Sequence, residues 1–502
     1  MADPDAAQGP AKIDGKAMRN TVLWGAGLAF ATKIGSILLS LVLARLITPQ
    51  LFGQYGVVSG LILLLMSFSM QYFAAHLFHQ KAPKPEEYHL HLTFGIMLHG
   101  FLFVICNLIA LAMHFIPQYR PIAGYMHIGS LALLINVPRI YYSVYLRAEL
   151  QWRKMRTLQI GSFALYAIAS VVLAFMGQGV YALLSQNLLV PIPFVIAFFL
   201  DTKSLRALRF SWREYREAFF FGLMRTASGG VSSAQTALEG FALSLLAGFG
   251  TLGLLNRARG LALLATSWLS DQVTVMLYPS LAKLEPRSQE SRRTAGLLLK
   301  IGLWTTAPVA VSLAMAERAA IYTLYGYQWG KVVPLVRPML LAAVASSLFN
   351  IIRMVVLTND GPHRTLIFDC VMAAVNLGCL AALWLSGMQA YAVALGVVGA
   401  ITVGAMLTMI TRGELINRGD LIAAVLPGTV LTILGLLVGS GGWYHALETA
   451  SPIATMIATG AVCSAIALML IRFIDPAGLN TFCGLLPGGA LARRWLLLGK
   501  AP

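Results

Sequence analysis

Residues 389–411 read QAYAVALGVVGAITVGAMLTMIT, a run of 23 positions without an Asp, Glu, Lys or Arg. At 1.5 Å per residue a helix of that length covers about 34 Å, enough to cross a hydrocarbon core of roughly 30 Å. In lipid, backbone polar groups must find partners within the protein, so only helices and closed barrels span; a run this long and this apolar is a helix. Comparable runs recur along the chain. The expected spans are 22–44, 54–76, 92–116, 122–146, 158–176, 180–200, 219–247, 254–280, 295–316, 332–357, 363–385, 389–411, 421–440 and 452–474. Hydrophobic residues make up 58% of the 502 positions, charged residues 11%, and mean hydropathy is +0.74. Soluble domains carry roughly 25% charged residues, so this chain lacks the charge to coat a water-facing surface. The fold class expected is all-α, a polytopic membrane protein of about fourteen transmembrane helices.

Charge orients the array. Assigning alternate loops to the two faces puts 25 Lys and Arg on the face of the N-terminus and 4 on the other, which by the positive-inside rule places both termini in the cytoplasm. The net charge of +17 then follows from topology and contact with anionic lipid headgroups and calls for no nucleic-acid partner. The polar first 21 residues argue against a cleavable signal peptide. The linker 201–218 alternates aromatic and basic residues (Phe210, Trp212, Arg213, Tyr215, Arg216), as an interfacial amphipathic helix does; the tail around Phe482, Arg493 and Trp495 reads the same way. Five scattered Cys and the absence of a P-loop predict neither a disulfide framework, nor a metal site, nor a nucleotide cofactor.

A weak internal repeat appears at an offset of 200. Leu51-Phe52-Gly53 and Gly60-Leu61 correspond to Thr251-Leu252-Gly253 and Gly260-Leu261. The boundaries expected are a cytoplasmic tail 1–21, an N-lobe 22–200, a cytoplasmic linker 201–218, a C-lobe 219–411, helices 13 and 14 in 412–474, and a cytoplasmic tail 475–502. The two lobes would be parallel repeats about an axis along the membrane normal.

LARLITPQLFGQYG at 43–56 resembles the N-terminal signature of Wzx-type oligosaccharide flippases, of the polysaccharide transporter family in the multidrug/oligosaccharidyl-lipid/polysaccharide superfamily. LLNRARGLALLATSWLSDQVTVMLYPSLAKL at 254–284 resembles that family's eighth helix. The resemblance covers most of residues 15–415. It implies two six-helix lobes around a central cavity plus two C-terminal helices. It implies flipping of a polyprenyl-diphosphate-linked oligosaccharide from the inner to the outer leaflet of a bacterial inner membrane by alternating access. A polysaccharide polymerase and export machinery are the further partners it suggests.

Charges inside the spans give an independent reading. Eight cations fall there (Lys33, Arg139, Arg225, Arg257, Arg259, Lys300, Arg337 and Arg353) against the acids Glu239, Asp271 and Asp369. A charge at the bilayer centre costs roughly 2.5–3.5 kcal/mol or more, so several cations should line a hydrated cavity. A basic cavity suits a diphosphate, whose oxygens accept from Arg forks and Lys amines. Lys33, about 16 Å into the first helix, is too deep to snorkel easily; it reads as a substrate-binding cation or as half of a structural pair. Arg139 and Arg225 are the other substrate-binding candidates, Arg225 being equally able to pair with Asp271. Glu239 and Asp271 are the candidates for coupling export to an ion gradient, Glu239 alternatively packing beside a buried Arg. Arg353 and Asp369 face each other across the 358–362 turn as a structural pair. Arg257, Arg259 and Arg337 read as snorkelling cations near outer helix ends, and Lys300 as an interfacial anchor. His76, His79, His89, His91 and His99 read as interfacial, and Trp24, Tyr141, Tyr142, Tyr145, Tyr278, Trp304, Tyr322, Tyr325, Tyr327 and Trp329 mostly as belt aromatics.

Three function classes remain. The first is a flippase, with a lipid II flippase as the nearest variant. The second is a multidrug or small-solute antiporter, which a basic cavity disfavours. The third is a membrane polymerase or glycosyltransferase, which short loops disfavour.

Overall fold

A computed structural model of the chain describes residues 15–74, 85–149, 151–201, 207–281, 283–439, 444, 448 and 450–485. All regular structure among them is helical. Helices α1 (Gly15–Leu46), α2 (Pro49–Met66), α3 (Met70–Ala74), α4 (Pro85–His114), α5 (Arg120–Ala148), α6 (Trp152–Phe175), α7 (Gly179–Leu189) and α8 (Ile192–Asp201) lead into the long α9 (Trp212–Leu281). Then come α10 (Gln289–Met315), α11 (Glu317–Leu324), a 3-10 segment (Tyr327–Val332), α12 (Val333–Asn359), α13 (Pro362–Gly378), α14 (Leu383–Ser386), α15 (Met388–Arg412), α16 (Arg418–Gly439), α17 (Pro452–Ile474) and α18 (Pro476–Leu485).

Twelve spans among the described residues are long and apolar enough to cross a membrane. Eleven of them answer to runs read from the sequence; the twelfth, Gly230–Leu264, takes in parts of both 219–247 and 254–280 on either side of Gly248, and the remaining run, 22–44, lies inside α1, with part of its side chains outside the described residues. The second span begins earlier and ends earlier than the sequence suggested. Pro49 starts α2, where its missing N–H would be unpaired anyway, and the Ser67 hydroxyl bonds back to the Leu64 carbonyl at 2.6 Å as the helix stops. The sixth span is delivered as α7 and α8, parted at Val190-Pro191, because proline supplies no amide donor and its ring crowds the preceding turn, while Val190 itself keeps helical angles.

The chain forms two compact units, Met1–Ile47 with Leu61–Thr226, and Thr48–Gly60 with Ala227–Pro502. In the first, Tyr141, Tyr142 and Leu146 of α5 pack with Tyr88 and Leu92 of α4 and with Phe194 and Phe198 of α8. Asp201 at the end of α8 binds both the Tyr142 hydroxyl and the Lys154 ammonium, tying α5, α6 and α8 together at one end. The start of α9 is held in this unit by Tyr215, which is buried against Phe94 and whose hydroxyl lies 3.0 Å from His91 Nδ1. Tyr215 is therefore a core residue and not an interfacial one.

In the second unit α9 turns at Gly248, whose φ of 84° and ψ of 163° lie outside the backbone range of L side chains and divide the element into helices 212–247 and 249–281. The front of α2 packs here. A methyl group on Gly53 would overlap the carbonyl oxygen of Phe249, and one on Gly253 would overlap that of Pro49. The two glycines at the 200-residue offset thus sit in reciprocal contact, each admitting the other helix's backbone. In a bilayer, where lipid is as apolar as Leu, such close approach is a main source of helix association. Phe52 beside it lies with its ring 3.7 Å from the Arg257 guanidinium and 5.5 Å from Trp329, edge to face.

The rest of the second unit is built on α10, α12, α15 and α16, whose Leu298, Ile352, Val355, Met406 and Ala424 share one core. The last two long helices dock on α10 through Val311, Met315, Leu431, Cys463 and Ala467, and through a 3.1 Å bond from the Trp304 indole to the Ala423 carbonyl.

Candidate functional site

The structure sorts the membrane cations by whether an acid meets them. In the second unit, Glu239 on α9 is buried and its carboxylate is fully engaged. It receives the Arg259 guanidinium, the Tyr391 hydroxyl at 2.6 Å and the Gln235 amide at 3.1 Å. The turn at Gly248 makes this possible, since it folds α9 back so that residues 20 apart in sequence face one another. Arg259 is therefore not a snorkelling cation. Arg353 and Asp369 form the pair read from the sequence, at 2.9 Å.

Lys300 is mostly buried, with Asp420 and Asp475 each at 2.6 Å. It bridges α10 to α16 and to the start of α18, so it clamps helices together where the sequence suggested an interfacial anchor. Arg337 pairs with Glu317 at 3.2 Å. Arg257 is held by rings, with Tyr325 and Trp329 at 5.5 and 5.6 Å completing the cage begun by Phe52. Cation–π contacts of this kind contribute about 0.5–2 kcal/mol each.

The first unit differs. Lys33, half-buried on α1, and Arg139, half-buried on α5, have no acid partner among the described residues. Among the described residues, the Arg139 guanidinium donates to the side chain of Asn136, one turn back on its own helix, at 2.6 Å. Arg225 and Asp271 lie on α9, but their side chains fall outside the described residues, as do His76 and His79. Of the described membrane cations, Lys33 and Arg139 are thus the ones met by neither an acid nor an aromatic cage; both are substrate-binding candidates and both belong to the first unit.

Other sequence readings change in detail. His99 is fully buried; its Nε2 accepts the Met70 amide at 3.3 Å and its Nδ1–H donates to the Leu133 carbonyl at 2.8 Å, so it serves the core and not the interface. His91 is likewise buried. Tyr141, Tyr142, Tyr325, Trp329 and Trp304 are buried instead of forming a belt, whereas Tyr322 and Tyr327 are exposed and stacked, 5.0 Å apart. No group of three or more His, Cys, Asp and Glu suited to a metal ion occurs among the described residues. The partners that sequence reasoning missed are Gln235, Glu317, Tyr391, Asp420 and Asp475. Gln235 is legible as the i,i+4 neighbour of Glu239 on one helix, but no local pattern announces the others, because each arrives from another helix or helix end.

Residues 42–334 match a family model described as polysaccharide biosynthesis protein. The chain is 22% identical over 315 residues to the lipopolysaccharide biosynthesis protein WzxC of Escherichia coli (strain K12). It is 23% identical over 324 residues to the succinoglycan biosynthesis transport protein ExoT of Rhizobium meliloti (strain 1021). Both matches span 62% of this chain and 63% of the relative, just under two thirds of the relatives' length. Among solved structures, the fold is similar to lipid II flippase MurJ in an inward closed conformation, with a TM-score of 0.64 and 14% identity over 90% of this chain and 99% of that one. It is also similar to an inward-facing multidrug resistance MATE family transporter, with a TM-score of 0.61 and 14% identity over 75% of this chain and 94% of that one.

Proposed function

As the chain belongs to the polysaccharide biosynthesis protein family, we propose that it flips a polyprenyl-diphosphate-linked oligosaccharide across a bacterial inner membrane. In this reading the substrate moves from the inner to the outer leaflet, and both chain termini are cytoplasmic. The observation that carries it is the contrast between the units. The described membrane cations of the second unit are each met by an acid or an aromatic cage, while Lys33 and Arg139 meet neither among the described residues. A lone charge inside the membrane is expensive unless water or a counter-charge reaches it. A diphosphate supplies that counter-charge. A cationic drug does not, which ranks the antiporter reading lower.

The test is export of lipid-linked glycan at matched protein abundance. A charge-assisted hydrogen bond contributes about 1.5–3 kcal/mol, so Lys33→Ala should weaken headgroup binding by about 10- to 100-fold. Lys33→Arg should be milder, since it keeps the charge, and Arg139→Gln should fall between them. Wild-type export by both Lys33→Ala and Arg139→Gln would remove these residues from the substrate site.

Coupling to an ion gradient is assigned to Glu239 and Asp271. With Glu239 held by three donors, coupling there works by exchange: a proton or cation on the carboxylate releases Arg259. Export in proteoliposomes under an imposed pH or sodium gradient tests it. Equal gradient dependence in wild type and Glu239→Gln would exclude Glu239 and leave Asp271.

A further inference from the structure

The segment that completes the Arg257 cage turns its other aromatic residues outward. Between α11 and α12, Tyr325 and Trp329 are fully buried and lie 5.5 and 5.6 Å from the Arg257 guanidinium. Tyr322 and Tyr327 from the same stretch are exposed, Tyr327 by 86%, and their rings stack 5.0 Å apart with 29° between the planes. The backbone fixes this alternation. The Gly326 amide bonds back to the Ile321 carbonyl at 3.1 Å as α11 ends, and Gly326 then takes a φ of 96°, which swings the chain into the 3-10 segment. Gly330 leaves room for the Tyr322 ring, since a methyl group there would come within 3.3 Å of its hydroxyl and 3.4 Å of a ring carbon. The stacked pair therefore stands on a base held by the core, and most of the Tyr327 ring is open.

Length places the pair. From Tyr327 to Asn359 the chain is helical throughout, with six 3-10 residues at about 2.0 Å and 27 α-helical residues at about 1.5 Å, a path of about 52 Å. A bilayer measures about 40–45 Å with its headgroups, and a usual tilt of about 20° shortens the path only to about 49 Å. The Asn359 end is at water, since the adjoining Asp360 binds Arg287 and Arg364, both more than half exposed. The Tyr327 end therefore reaches water on the other side, past the level of belt aromatics. Gln328 and Lys331, both exposed, follow in the same 3-10 segment and bring amide and ammonium donors to that surface.

We propose that Tyr322 and Tyr327 form a sugar platform, on which a pyranose ring of the lipid-linked glycan stacks as it reaches the outer leaflet. This rests on the flippase reading and on the orientation that goes with it, which puts α11 and the 3-10 segment on the outer side. The face of an aromatic ring carries negative quadrupole charge and attracts the polarised C–H bonds on the flat side of a pyranose. The phenol hydroxyls, with Gln328 and Lys331, offer donors to the sugar hydroxyls around the ring edge. The pair is already stacked in the free protein, so binding freezes little further side-chain motion. Lys33 and Arg139 are assigned to the diphosphate and these rings to the glycan, so the two assignments separate experimentally.

The probe is the water-soluble oligosaccharide released by mild acid from the lipid-linked glycan that accumulates in cells lacking the protein. Saturation-transfer NMR on the full-length protein in nanodiscs should show transfer from aromatic protons to this oligosaccharide. Tyr327→Leu should weaken binding by about 2- to 12-fold, the range for losing one aromatic contact, and Tyr322→Leu should weaken it too. Tyr327→Phe and Tyr327→Trp should bind near the wild-type level. Tyr327 is a surface residue, so these variants should melt as the wild type does. Leu keeps an apolar side chain for a lipid-facing role; equal binding by wild type and Tyr327→Leu, or no transfer from the wild type, therefore overturns the platform. Cells lacking the protein that accumulate no lipid-linked glycan would instead overturn the flippase reading, and this inference with it.

Discussion

Removing the Glu239 carboxylate leaves the Arg259 guanidinium inside a helical unit without its counter-charge. Breaking one side of a buried ion pair costs about 3–5 kcal/mol, and the lower end applies because about a third of the Arg259 side chain stays exposed. Glu239→Gln should therefore lower the melting temperature in detergent clearly. Glu239→Gln combined with Arg259→Met should restore much of the loss, since neither buried charge then remains. Equal melting of the single and double variants would mean that the pair does not act as one. At this scale the sequence was legible only where partners are close in the chain. Arg353 and Asp369, 16 residues apart across a short turn, were paired by reading depth along two consecutive helices. Lys300 was not, because Asp420 and Asp475 lie more than a hundred residues on, and helical periodicity says nothing about which distant helix arrives. Glu239 was read as a coupling acid or as packing beside a buried Arg; that this Arg is Arg259, 20 residues on, follows only from the Gly248 turn.

The contact between the front of α2 and α9 is the element whose sequence says most about its role. Gly53→Ala or Gly253→Ala puts a methyl group into a carbonyl of the opposing helix, and forced overpacking of this kind costs about 1–3 kcal/mol or more. Gly100→Ala on α4 is the matched control. Nothing lies within 4 Å of its added methyl, and replacing a mid-helix glycine by alanine gains up to about 1 kcal/mol. Melting curves should show losses for the first two and none for the third; equal behaviour of all three would mean the α2–α9 approach contributes little. The 200-residue offset pointed to these glycines as a repeat. That they meet each other needed the structure, since a repeat predicts equivalent environments and not mutual contact.

For the whole molecule, composition was sufficient to give an all-helical membrane protein, because continuous apolar runs leave the backbone no other way to satisfy itself in lipid. Orientation rests on the 25-to-4 distribution of Lys and Arg. Reporter fusions at both termini and in 283–293 should be cytoplasmic, and one near 248–252 should be external. An external signal from residue 287 would overturn the orientation. The site was less legible than the fold. The sequence gathered eight membrane cations, and the structure engages Arg257, Arg259, Lys300, Arg337 and Arg353 within the second unit. Pairing is a long-range property, so an excess of charge could be counted from the sequence while its owners could not be named.

The reciprocal seat of Gly53 and Gly253 also sets a timetable for biogenesis. Chains grow at about 5–20 residues per second, so α2 leaves the ribosome roughly 10–40 s before the helix it must clasp. During that interval its glycine face, with Gly53, Gly56 and Gly60, meets lipid or the insertion machinery instead of its final neighbour. Nascent chains arrested before residue 253 should expose a cysteine placed at position 56 to crosslinking with the insertase, and chains arrested well beyond residue 281 should not.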